Sequence, residues 1–259
     1  MAIFTTEITS DKILSDNPLH QRLLFPYYEA TKFAKGKILE IGCGEGRGVE
    51  ILHNISQNYT GVDKINSAIK KLKEKYPSET YQFYCDNVPP IKRFEREIFD
   101  TVIAFQVIEH IQDDVFFLKE IYRILKPGGI CLLTTPNIKK SLSRNPWHVR
   151  EYTANQLLNL AKQIFPHIDL WGVGGNYKVW KYYEENKISV QRIMKWDFLD
   201  LQYKLPASVL KIPYELLNRL NRNKIKQRQS KLVEDISYKD YYLDKDPDKN
   251  LDLFMVCYK

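Results

Sequence analysis

Cysteine is scarce in this chain, and what there is lies scattered. Cys43, Cys85, Cys131 and Cys257 show no CxxC spacing, which argues against a zinc site and against a disulfide framework. Three of them fall in apolar runs of the kind that form buried strands, as reduced thiols of a cytoplasmic protein do. Long hydrophobic runs are missing as well: no stretch approaches the roughly 18 apolar residues that span a bilayer. The opening MAIFTTEITSDK has neither a basic n-region nor an apolar h-region, so it does not read as a secretory signal. There is no internal repeat and no low-complexity segment.

What is present is a globular composition, 44% hydrophobic and 27% charged over 259 residues, enough for one large α/β domain with an appendage. Charge is unevenly placed. The formal net charge is +7, yet between Asn186 and Leu232 eleven Lys or Arg face only Asp197, Asp200 and Glu215. That segment holds the whole excess, so the basic character says nothing about the rest of the chain.

From Gly36 to Asn137 strand-like and helix-like segments alternate. KILEIG (37–42), NYTGVD (58–63), TYQFYCD (80–86), FDTVIAFQVI (99–108) and ICLLTT (130–135) read as strands, the first and fourth as near-continuous apolar runs of the buried parallel type. INSAIKKLKEKY (65–76) sets Ile65, Ala68, Ile69 and Leu72 on one helical face. DDVFFLKEIYRIL (113–125) is a helix stopped at Lys126-Pro127-Gly128-Gly129. Thr153 and Gln156 form a capping-box signature for a helix over 154–164, and HIDLWGV (167–173) is a further strand. The expected fold is α/β: a doubly wound, Rossmann-like, seven-stranded mixed sheet, with LDLFMVCYK (251–259) as its antiparallel edge strand. Residues 1–35 are then a helical cap, and 36–175 with 251–259 the core. Residues 176–250 are a basic, aromatic-rich, mainly helical insertion, which Pro206 and Pro213 break into short pieces.

In such sheets ligands lie beyond the carboxyl ends of the strands, which draws attention to ILEIGCGEGRG (38–48). A P-loop would need GxxxxGK[ST], and no Lys-Ser or Lys-Thr follows here. A dinucleotide fingerprint would need GxGxxG, but Gly42, Gly44 and Gly46 give GxGxG, with Arg47 at the required glycine position. Glu40, two residues before the first glycine, puts a carboxylate where a pyrophosphate would be repelled and a cation favoured.

Glu40-Ile-Gly-Cys-Gly-Glu-Gly46 closely resembles the first motif of the class I S-adenosylmethionine-dependent methyltransferases. Asp63 and Asp86 end the second and third strands, Gln106-Val-Ile-Glu-His110 follows the fourth, and Leu125-Lys-Pro-Gly-Gly129 precedes the fifth, all in the family's order. The resemblance covers about residues 36–137, and 251–259 matches the expected final strand. It implies S-adenosyl-L-methionine as cofactor and S-adenosyl-L-homocysteine as product. The implied cofactor contacts are Glu40, Gly42, Cys43, Gly44, Gly46, Asp63 (ribose), Lys64, Asp86 (adenine), Asn87 and Gln106.

An oxygen acceptor must lose a proton, so a nearby base is expected. His110 is the first candidate and His148, in Asn145-Pro-Trp-His-Val-Arg-Glu-Tyr152, the second; the alternatives are a loop-positioning His110 and a plain helix entry at 145–152. Ubiquinone-pathway O-methyltransferases carry a similar Glu-x-x-Glu-His cluster that can hold a divalent ion. Gln106 replaces its first acid, so no metal is expected. The family expectation for the acceptor is a small molecule or glycan-like compound methylated at oxygen. A lipid or quinone acceptor and a non-catalytic binding module are the competing readings. For residues 205–232 a membrane-surface or partner-binding element stands beside a substrate lid with solvated basic faces; no nucleic-acid motif accompanies the charge. Oligomeric state has no signature.

Overall fold

The computed structural model describes residues 13–197 and 200–259; the first twelve residues of the expected N-terminal cap lie outside the described residues. After α1 (Asn17–Ala30) come β1 (Gly36–Ile41), α2 (Val49–His53), β2 (Ser56–Asp63), α3 (Asn66–Lys75) and β3 (Tyr81–Cys85). There follow β4 (Phe99–Phe105), α4 (Asp114–Ile124), β5 (Leu125–Pro136), α5 (Ala154–Ala161) and β6 (His167–Gly175). The C-terminal third holds α6 (Tyr177–Met194), α7 (Leu201–Lys204), α8 (Ala207–Arg228), α9 (Ser230–Asp235), β7 (Tyr241–Asp244) and β8 (Asp252–Tyr258).

Local sequence explains most of these elements. Asp113 caps α4 by accepting from the Phe116 amide at 2.9 Å, and α5 opens on the expected capping box of Thr153 and Gln156. Helix α3 buries Ala68, Ile69 and Leu72 and turns its lysines outward. The sheet runs β3-β2-β1-β4-β5-β8-β6-β7. Strands β1 to β5 pair in parallel, while β8 is antiparallel to both β5 and β6, and β7 to β6. One apolar layer, with Phe117, Leu118, Ile121 and Leu157, covers one face; another, with Phe25, Leu52, Ile69 and Leu72, covers the opposite face.

Four expectations need correction. The sheet has eight strands, not seven, because the short segment Tyr241–Asp244 pairs with Gly172–Gly175. The chain-terminal strand is not at the edge but between β5 and β6. Its run Leu253–Cys257 is buried throughout, as an unbroken apolar strand must be when covered on both faces. Lys126–Gly129 is no free turn: Leu125 already pairs with Phe99, and the kink at Gly128 is held by its amide donating to the Lys259 carbonyl at 2.9 Å. Pro213 does not break a helix; it lies inside the 22-residue α8. The carbonyl it leaves without an amide partner belongs to Val209, a 55% exposed residue whose backbone water can reach.

The strand order reverses between β1 and β4, so a crevice opens there at the carboxyl ends of the strands. Helix α1 is clamped near it: Arg22 donates through Nε to Asp252 Oδ2 at 2.5 Å and through Nη2 to the Leu251 carbonyl at 3.1 Å. Arg219 and Arg222 of α8 both reach buried Asp16, at 2.8 and 3.1 Å. The cap and the insertion thus meet across the crevice mouth.

Candidate active site

Strand β1 delivers Glu40 and then the glycine loop. Glu40 is 1% exposed. Its Oε1 accepts from the Tyr27 hydroxyl at 2.6 Å, and its Oε2 from the Tyr59 hydroxyl. Burial raises its pKa above the usual carboxylate range, opposed by these two hydroxyls and by Arg47. The structure makes Glu40 an anchor between α1, β1 and β2, behind the residues that line the cavity. Beyond it Gly42, Cys43, Gly44 and Gly46 all line the cavity. The Cys43 thiol itself is buried, and burial pushes its pKa up. Gly44 has φ +53°, and a Cβ there would meet nothing within 4 Å. The bare backbone faces open space, as a cradle for a close ligand must.

Asp63 ends β2 directly opposite. Its Oδ2 accepts from the Gly44 amide at 2.9 Å and its Oδ1 from the Ile65 amide at 2.8 Å. Two backbone donors fix the carboxylate's plane, and its remaining lone pairs face the cavity with Lys64 beside it. Asp86 and Asn87 follow β3 on the same rim. The Asp86 carboxylate is already gripped by Arg93, through Nε at 2.5 Å and Nη2 at 3.1 Å. Gln106 follows β4 in the left-handed region, φ +56°, with Nε2 donating to Thr134 Oγ1 at 3.2 Å. Such strain in a residue other than glycine clusters at functional sites.

The other half of the cavity is built after β4 and β5. His110 Nδ1 donates to the Trp147 carbonyl at 2.9 Å, and its ring meets that of His148 edge-on, centroids 5.0 Å apart. His148 Nδ1 donates to Glu151 Oε1 at 2.7 Å while Asn145 Nδ2 donates to His148 Nε2 at 2.8 Å, the tautomer following from the network. Ser141 in turn donates to Glu151. Both predicted histidines thus come together. Sequence reading passed over Glu151 and Asn145, although His-x-x-Glu in a compact loop is a detectable signal. Trp147 Nε1 donates to Glu215 Oε1 of α8 at 2.8 Å, which ties this loop to the insertion.

Both halves open into one cavity of about 1190 Å³, large for a single small ligand. Tyr183, Asn186, Lys211, Tyr214 and Asn218 from the insertion and Leu23, Leu24 and Tyr28 from α1 complete its walls. Glu109, His110 and His148 present ligand atoms within 4.8 Å of one another and could hold a metal ion. Glu109 also accepts from Thr135 Oγ1 at 2.9 Å, and His148 has hydrogen bonds at both ring nitrogens.

A glycine loop and a braced acid at the carboxyl ends of β1 and β2 have clear counterparts. The methyltransferase domain family matches residues 39–133. A relative from Mycolicibacterium smegmatis, named as a probable S-adenosylmethionine-dependent methyltransferase, is 32% identical over 162 residues. Residues 39–133 are thus a methyltransferase domain, and the relatives they resemble are named as S-adenosylmethionine-dependent. The Mycolicibacterium match covers 60% of this chain and 62% of the relative. The ubiquinone biosynthesis O-methyltransferase of Bradyrhizobium diazoefficiens is 36% identical over 39% of this chain and 40% of its own. A crystal structure of a SAM-dependent methyltransferase from Thermotoga maritima superposes with TM-score 0.57 across 93% of this chain and 91% of that one; at 15% identity it shows the fold alone. The chain thus spans less than two thirds of the curated relatives' lengths. The family's cofactor is S-adenosylmethionine.

Proposed function

We propose that this methyltransferase transfers a methyl group from S-adenosylmethionine to a hydroxyl of a small, polar, glycan-like acceptor. The observation that carries the reading is the joining of two half-sites in one cavity. One half has a bare backbone cradle and a braced carboxylate; the other has a histidine held by a carboxylate.

The cofactor fits the first half. Gly42–Gly46 would lie along its amino-acid portion, Asp63 would accept from the ribose hydroxyls, and Asn87 beside Asp86 would border the adenine. When bound, the cofactor supplies a methyl group on a positively charged sulfur. The chain's own part would be to hold the acceptor hydroxyl between the cradle and His148, so that it is oriented toward that methyl. His148 receives the hydroxyl proton at Nε2, the acceptor hydroxyl replacing the Asn145 amide there, and Glu151 stabilises the imidazolium that results. His110, whose Nδ1 donates to a neutral carbonyl, positions the loop. Amides, hydroxyls and aromatic rings of the insertion (Asn186, Asn218, Tyr183 and Tyr214), with Trp147 of the loop after β5, suit a ring rich in hydroxyls. A quinone-type acceptor is the second reading, favoured by the Bradyrhizobium relative.

Metal is not required in this scheme, because His148 with Glu151 behind it takes up the hydroxyl proton without one. The test is incubation with methyl-labelled cofactor and cell extract, with and without a chelator. Label is expected in a water-soluble, alkali-stable product, unchanged by chelation. Label in the organic phase would favour the quinone reading, and loss on chelation would restore a metal. S-adenosylhomocysteine binding without any labelled product would make the chain a non-catalytic module.

A further inference from the structure

Helix α8 presents two opposed faces. Lys211, Tyr214, Asn218, Asn221 and Arg222 point into the cavity. At roughly 100° per residue, Val209, Ile212, Leu216 and Leu220 lie on the other side, at i, i+3, i+7 and i+11. That apolar stripe is exposed: Val209 55%, Ile212 72%, Leu216 59% and Leu220 57%. Leu217 widens it at 43%. Four aliphatic side chains in register on a solvent face are not the scattered exposure that every surface shows.

The surroundings are cationic. Lys224, Arg228 and Lys231 are exposed around the C-terminal end of α8, and Arg192, Lys195 and Lys204 along the approach to it. The one carboxylate of α8, Glu215, accepts from Trp147 on the cavity side. The connection from α6 adds two exposed aromatics, Trp196 at 84% and Tyr203 at 65%. No helix among the described residues is long and apolar enough to cross a membrane.

We infer that the outer face of α8 docks on an anionic lipid bilayer, lying in its surface plane. Acyl chains near the headgroups take up the aliphatic stripe, and anionic headgroups take up the lysines and arginines. A second copy of the chain fits less well, since a two-fold contact through the stripe would set one basic helix against another. Nucleic acid would meet the cations but leave the aliphatic side chains in water. Docked in this way, the cavity side of α8 lies about one helix diameter, on the order of 10 Å, from the acyl chains that hold the stripe. The docking surface itself does not depend on the activity.

The full-length protein is sedimented with vesicles of phosphatidylcholine alone or mixed with phosphatidylglycerol, at low and high salt. Binding is expected to the anionic vesicles, at least about tenfold stronger than to the neutral ones and weakened by salt. The combined variant Ile212→Ser, Leu216→Ser, Leu220→Ser should lose about tenfold or more of that binding, and Lys224→Glu with Arg228→Glu a comparable amount. Titration with S-adenosylhomocysteine should be the same in all three proteins, showing that fold and cofactor site are intact. The inference is overturned if the wild-type protein stays in solution with anionic vesicles at low salt. It is equally overturned if the triple variant binds vesicles normally, or if its only effect is to split a dimer seen by sedimentation velocity.

Discussion

Replacing Asp63 by alanine is expected to weaken S-adenosylhomocysteine binding by about 100-fold or more. A carboxylate accepting from two ribose hydroxyls loses two charge-assisted hydrogen bonds, each contributing about 1.5–3 kcal/mol, and about 1.4 kcal/mol is tenfold in affinity. The same carboxylate accepts from the Gly44 and Ile65 amides, so its loss also slackens the cradle. Asp63→Asn keeps the shape and one acceptor oxygen, and should fall between the two. Calorimetric titration measures the effect, and a thermal melt shows that the variant is folded. Affinity within about threefold of wild type in a folded Asp63→Ala protein would remove Asp63 from the cofactor site.

The second large effect is expected at His148. His148→Ala should lower kcat by about 10²- to 10⁴-fold, the range for loss of a positioned general base, while S-adenosylhomocysteine affinity stays unchanged. The rise of kcat with pH should disappear with it. Glu151→Gln, which keeps a hydrogen-bond acceptor at Nδ1 but removes the charge behind the imidazolium, should cost less, about 10- to 100-fold. Rates measured on the labelled product decide the matter. Should His110→Ala show the larger loss and His148→Ala retain its pH dependence, the base would be His110.

Much of this architecture is legible in the sequence because parallel strands buried on both faces leave near-continuous apolar runs. The glycine loop, Asp63 and Gln106 were legible for a related reason: position after such a strand puts a residue at the crevice. The anchoring of Glu40 was not, since its partners come from a helix before it and a strand after it. Tyr27 and Tyr59 reach it only once α1 and β2 are packed. Asp86 carries a similar lesson, for Arg93, seven residues on, grips the carboxylate. The edge assignment of the last strand followed chain order, whereas its unalternating run Leu253–Cys257 already spoke for an interior place. The two faces of α8 are periodic in the sequence, but which one the cavity claims is decided by the ties from Trp147 to Glu215 and from Asp16 to Arg219 and Arg222.

The most direct measurement is titration of the wild-type protein with S-adenosylhomocysteine, run beside NADH. Saturable binding at one site per chain in the micromolar range, with none for NADH, is the expected result. NADH binding in place of S-adenosylhomocysteine, or no binding of either by folded protein, would contradict the assignment of the cavity.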